Sequence, residues 1–178
     1  SLARCWFCAS RVEAGCAPLC PACTAQLPRL GPDQCPRCAL PLPIATLCRD
    51  CRDDPPPFGR AYIPLCYQPP VGRLIEPLKQ SQHTPAASLL ADLMAALVGA
   101  DWHGAELLLV GVPLHPRRAL QRGYSQAALL AQLIAKRLAC PAPASQIQLQ
   151  RRVHQPPQRG QSRRQRLANL TGCFSAAG

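Results

Sequence analysis

Four pairs of cysteines constrain this chain more than anything else in it. "CWFC", "CPAC", "CPRC" and "CRDC" all fall within the first 51 residues, separated by eleven, eleven and nine residues. Two cysteines three apart on a tight turn can both face one metal ion, and a second such turn completes a tetrahedron of thiolates, the arrangement zinc prefers. Taken in chain order the pairs make two sites: Cys5, Cys8, Cys20 and Cys23, then Cys35, Cys38, Cys48 and Cys51. A crossed arrangement, first pair with third, satisfies the same spacing. Disulfides would need an oxidising compartment, and no export signal is visible. A thioredoxin-type redox centre uses one such pair, not four in succession. Cys16 is a spare that could replace Cys20 in the "CAPLCPAC" run. Cys66, Cys140 and Cys173 are isolated and expected to be ordinary buried thiols.

A segment this short and this poor in apolar residues cannot bury much core. Structural zinc would supply its folding free energy, roughly 10 kcal/mol or more per site. Residues 1–52 therefore read as a double zinc ribbon holding two zinc ions. "DDPPPFG", 53–59, reads as a proline-stiffened boundary. Residues 60–178 remain for a second domain, within the range for an ordinary single domain. The chain starts on Ser1 without a methionine, so a trimmed or incomplete chain is expected. No apolar run is long enough to span a membrane, and the expected location is the cytoplasm.

Charge divides the chain differently. All nine carboxylates lie at or before Glu106, where nine Lys and Arg balance them; beyond it come eleven Lys and Arg and no acid. The whole net charge of +11 thus sits in the last 72 residues. So one-sided a surface points to a phosphate-bearing partner, as nucleotide, sugar phosphate or nucleic acid. Aromatics make up only 4% of the chain, which argues against base stacking as the main source of affinity. His83, His103, His115 and His154 are scattered, and only His115 falls in the suspected site.

The second region reads as α/β. "RAYIPLCY" has strand character, with Pro64 pointing to an edge. "VGRLIEPLKQ" carries Val71, Leu74, Ile75 and Leu78 at helical spacing, shortened or kinked by Pro77. "TPAASLLADLMAALVG" predicts a helix with Thr84 as N-cap, Pro85 at the first position and Gly99 at the C-terminal cap. "ELLLVGVPL", 106–114, is a continuous apolar run, as expected of a parallel strand covered on both faces. A loop with Arg117, Arg118, Arg122 and Gly123 follows, then the helix "SQAALLAQLIAKRL". In such sheets ligands lie beyond the carboxyl ends of the strands, against helix N-termini. The tail 150–174 reads as a basic loop returning to a strand at "TGCF", and its arm 151–166 joins the loop 115–123 as a candidate phosphate-facing segment.

These blocks together resemble the ComF family of phosphoribosyltransferase-like proteins, associated with natural competence and DNA uptake. The cysteine pairs look like its double zinc ribbon. "LIEPLK", ending at Lys79, is similar to its leucine-isoleucine-to-lysine helix. "VPLHPRRALQRGYSQAALLA" resembles its most recognisable block, with Tyr124 for the usual Phe and Ser125 for the usual Asn. Gln158, Arg166, Asn169, Gly172 and Phe174 match a later block, with Gln155 where Thr is common. The resemblance implies a type I phosphoribosyltransferase-like parallel sheet behind the zinc-ribbon module. It implies phosphoribosyl pyrophosphate with magnesium as the ligand of the complete protein. Its association with DNA uptake implies DNA-uptake proteins as partners, and the zinc ribbons with the basic half point to single-stranded DNA. The family continues into a strand ending in two aspartates and a Thr-Thr-Gly phosphate loop. This chain ends at Gly178 without them, so the sheet is expected to be incomplete and the chain alone inactive as a transferase. No catalytic acid or base is identifiable. Lys79, Arg117, Arg118, Arg122, Gly123, Tyr124, Gln158 and Arg166 are the candidate phosphate-facing residues. A non-enzymatic zinc-ribbon protein that handles single-stranded nucleic acid is the competing reading.

Overall fold

The computed structural model describes residues 3–12, 18–80, 85–101, 108–140, 148–155, 158 and 160–177. The cysteine-rich part comes first. Strands β1 (Ala3–Arg4) and β2 (Arg11–Val12) pair antiparallel around the first cysteine turn, and helix α1 (Pro21–Ala25) follows. The same plan recurs. Gln34 and Pro41 form an antiparallel bridge around the third pair, and helix α2 (Arg49–Asp53) follows. The described residues between 3 and 53 thus contain two copies of one unit, a short hairpin and then a single helical turn.

The remaining elements are mainly helical. They are α3 (Gly72–Ile75), a 3-10 turn (Pro77–Lys79), α4 (Pro85–Asp101), α5 (Pro116–Arg122), α6 (Gln126–Arg137), β3 (Gln148–Arg151), α7 (Arg163–Leu170) and β4 (Phe174–Ala177). Pro77 breaks the 71–79 segment as its missing N–H dictates: α3 ends at Ile75 and the chain tightens into the 3-10 turn. Helix α4 begins at Pro85 as expected, while Thr84, its expected N-cap, lies outside the described residues. Gly99 does not cap it, because the helix runs on to Asp101. A side chain at 99 would meet Leu138 Cδ2 at 3.4 Å, so the glycine marks close packing against the end of α6.

Helices α4 and α6 form the main helix pair. Ala91, Ala95 and Ile134 are buried between them, with Leu130, Leu133 and Leu138 packed alongside. Arg137 on α6 ties the pair at its polar edge. Its guanidinium donates to Ser88 Oγ at 2.6 Å, to Ser88 O at 3.1 Å and to the Asp92 carboxylate. A second, larger core joins α4 to the first cysteine unit. Cys5, Val12, Leu19 and Leu27 are buried with Leu65, Val71, Leu74, Leu78, Leu89 and Leu90. Arg73 reinforces this joint by donating to Trp6 O at 2.6 Å and stacking on Phe7. The second cysteine unit has its own small cluster of Cys35, Cys48 and Cys51 with Leu42 packed against it.

The sheets differ from expectation. Among the described residues both are two-stranded and antiparallel; no parallel pair occurs. The expected return to a strand after the basic tail does occur, as β4 pairing with β3 from Gln148↔Ala177 to Arg151↔Phe174. Residues 60–67 form no ladder. Single hydrogen bonds from Ala61 N to Arg37 O and from Cys66 N to Pro28 O instead strap them to the cysteine units. The apolar run 106–114 begins outside the described residues. From 108 onward it also lacks a ladder, and Leu108, Val110 and Val112 are 44%, 41% and 59% exposed. One point on it is pinned. A Cβ on Gly111 would lie 2.7 Å from the carbonyl carbon of Ala127, so only glycine allows this close approach to α6.

Candidate metal centres and basic surface

Each cysteine cluster is built from two local devices. In the first, a tight turn places Cys5 beside Cys8, closed by Ala9 N donating to Cys5 O at 2.9 Å. Cys35, Cys38 and Ala39 repeat it at the same distance. Ala9 and Ala39 both adopt φ 60, the left-handed conformation that swings the chain back across the metal-binding turn. In the second, the cysteine is a helix N-cap. Cys20 Sγ accepts from Cys23 N at 3.5 Å, and Cys48 Sγ from Cys51 N at 3.4 Å. Pro21 at the first helical position suits this start.

The clusters fit a tetrahedral ion. Four sulfurs each about 2.3 Å from a central zinc lie about 3.8 Å from one another. Cys8 Sγ and Cys20 Sγ are 3.7 Å apart, and Cys38 Sγ and Cys48 Sγ 3.6 Å. In each group all four sulfurs lie within 4.8 Å of one another. The grouping is Cys5, Cys8, Cys20 and Cys23, then Cys35, Cys38, Cys48 and Cys51, which selects the chain-order pairing over the crossed one. Disulfides are excluded, since these cysteines are free and the spacings far exceed the roughly 2 Å of an S–S bond. Backbone geometry prepares the thiolates. Burial pushes the Cys5 thiol up, but the N–H groups of Cys8, Cys20 and Phe7 bring it down to about 6. The N–H groups of Cys38 and Cys48 hold Cys35 at about 6. Cys23 is pushed up to about 12, first by the Cys8 sulfur and then by burial, as the crowding of four sulfurs dictates. Cys16 lies outside the described residues. Cys173 is buried as expected, whereas Cys66 and Cys140 are half-buried.

The candidate phosphate residues form two groups. The first surrounds His115. The segment expected as a loop is helix α5, capped by His115 Nδ1 accepting from Arg117 N at 3.3 Å and opened by Pro116. Gly123 ends it at φ 74, where its N–H reaches Ala119 O. His115 meets His154 edge to face at 5.0 Å, so α5 touches the segment leaving β3. Burial, then the charges of His154, Arg117 and Arg151, push the His115 imidazole below its ordinary pKa. Arg117 and Arg151 are thus close enough to act on this ring. Arg117 and Arg152 are exposed there; Arg151 is half-buried over the Phe174 ring. Arg151, Arg152 and His154 belong to the basic arm 151–166, whose carboxylate-free sequence pointed to phosphate as a segment without singling out these three residues.

The second group lies toward the 3-10 turn. Tyr124 donates its hydroxyl to Leu78 O, next to exposed Lys79. Arg122 donates to Gln126 Oε1 at 3.2 Å, and Arg118 is half-buried on α5. The start of α6 is satisfied from within, because Ser125 Oγ accepts from Ala128 N. Gln158 contributes its carbonyl to Gln161 N at 3.2 Å. Arg166 is exposed on α7, whose N-terminus is closed by a reciprocal capping box between Ser162 and Gln165. Two buried side-chain donors, Gln126 Nε2 and Arg151 Nε, have no acceptor among the described residues. The ion pairs among those residues reach the carboxylate-free region only at Arg137.

Among the described residues no helix is long and apolar enough to cross a membrane. No family model matches the chain, and no solved structure matches it. Curated relatives do. The DNA utilization protein YhgH of Escherichia coli strain K12 is 34% identical over 141 residues, covering 76% of this chain and 62% of that protein. Its counterparts in Shigella flexneri and Salmonella typhimurium are each 33% identical over the same coverage. The chain thus spans about three-fifths of the length of the curated relatives it matches, and it is similar to proteins named for DNA utilization.

Proposed function

We propose that this chain is a zinc-stabilised DNA-handling protein that grips phosphate with the surface where α5 meets β3. The contact between His115 and His154 carries the reading. It joins two arginine-bearing segments, 115–123 and 151–166, that the sequence leaves without a single acid. The orphaned Nε of Arg151 supports it, because phosphate oxygens are acceptors only. Similarity to DNA utilization proteins supports the DNA half of the proposal. Eight thiolate ligands suit a reducing compartment such as the cytoplasm.

A second reading takes phosphoribosyl pyrophosphate with magnesium as the ligand, within a phosphoribosyltransferase-like fold. One contact favours it: Tyr124 on Leu78 O brings together the two blocks, 74–79 and 112–131, that carry the family resemblance. Fluorescence anisotropy with a labelled single-stranded oligonucleotide tests the first reading. Arg117→Gln with Arg151→Gln should weaken binding equally for every sequence and flatten the salt dependence by about 0.7 per arginine removed. Binding unchanged in the double variant, with both zinc ions retained, overturns it. Calorimetry with phosphoribosyl pyrophosphate and magnesium tests the second, and displacement of the oligonucleotide by that ligand would place both on one surface.

A further inference from the structure

We propose that the groove between the second cysteine unit and α7 is a nucleobase-stacking site for single-stranded DNA, built around Phe58 and Tyr67. The inference rests on the DNA-handling reading above and adds a second surface to it. The groove has a volume of about 860 Å³, and its walls are mainly apolar. That size falls within the range of pockets that take small organic ligands. Phe58 and Tyr67 are 46% and 74% exposed, and they are the two aromatic side chains among the large exposed hydrophobics of the described residues. Both line this one groove. Their exposure is enforced locally: Phe58 follows Pro55–Pro57, which hold the chain extended, and Tyr67 ends the strap 60–67. Tyr67 also borders a neighbouring hollow of about 390 Å³ beside Arg73.

The charges around the groove sort a nucleotide into its parts. Asp50 and Asp54 line it. Carboxylates repel phosphate but accept hydrogen bonds from the amino and ring N–H groups of bases. Leu167 of α7 also lines the groove, and the same helix exposes Arg164 and Arg166. Bases entering the groove would therefore stack on Phe58 and Tyr67 while their phosphates lie along the arginines of α7. The low aromatic content does not exclude stacking, because two of the few rings stand exposed in one place.

The test uses the whole chain with its zinc and a fluorescein-labelled, mixed-sequence single-stranded oligonucleotide. Phe58→Ala and Tyr67→Ala should each weaken binding by about 5- to 150-fold, with the salt slope unchanged, since each removes stacking and not charge. Tyr67→Trp should keep the affinity, and its fluorescence should be quenched on binding. Wild-type affinity in both alanine variants, with zinc content and circular dichroism unaltered, overturns the proposal and leaves the groove to an apolar protein segment. Absence of binding by the wild type at low salt would instead overturn the DNA reading, and this proposal with it.

Discussion

Ala9 and Ala39 show how much of a metal site lies outside its ligands. Both hold φ 60 directly after the second cysteine of a pair, where glycine would sit without strain. A left-handed non-glycine residue costs about 1–2 kcal/mol, and glycine gives back about half of that as unfolded-state entropy. Ala39→Gly should therefore raise stability by about 0.5–1 kcal/mol, read from thermal unfolding of the zinc-loaded protein. The cysteines themselves were legible from spacing alone, and so was the likelihood of metal over disulfide. What spacing could not decide was the pairing. That follows from three-dimensional closure, with Cys20 N donating to Cys5 Sγ at 3.4 Å across the first site. The alanines escaped notice because side-chain chemistry, not backbone conformation, is what a cysteine motif advertises.

Helix α5 is the element where composition misled. Two prolines and three arginines suggest a loop, yet "HPRRALQRG" contains a cap, a proline at the first position and a terminating glycine. Histidine is an uncommon N-cap, which hid the signal. The long helices α4 and α6 were legible because their leucine and alanine stripes repeat at helical spacing over three turns or more. The run 108–114 was legible as apolar but not as unladdered, because a strand is completed by partners distant in sequence. The His115 cap makes α5 sensitive to pH. Its folded imidazole holds a proton less tightly than the unfolded one, and Nδ1 must stay unprotonated to accept from Arg117 N. As pH falls below about 6.5 the unfolded chain takes up protons that the folded chain resists. Stability contributed here is thus complete above that pH and declines below it, toward the folded pKa. Asparagine caps helices without titrating. Denaturant unfolding of His115→Asn should lose less stability than wild type between about pH 7 and about pH 5; equal losses would show that the cap does not report this proton.

Across the whole molecule, zinc and charge divide the labour. The first cysteine cluster shares its core with α3 and α4, whereas the second stands as its own small cluster beside the groove. The one-sided charge was legible from a count of acids. Its spatial meaning was not, because the contact of His115 with His154 joins residues 39 positions apart. Arg117, Arg151 and Arg152 lie at that contact, Arg118 elsewhere on α5, and Arg164 and Arg166 along α7, none of them ion-paired among the described residues. If four to six of these meet phosphates, binding of single-stranded DNA must release a matching number of counterions. The logarithm of the association constant, plotted against the logarithm of salt concentration, should then fall with a slope between about −3 and −4. A slope near zero, or no binding at low salt, would contradict the claim that this surface exists to hold phosphate.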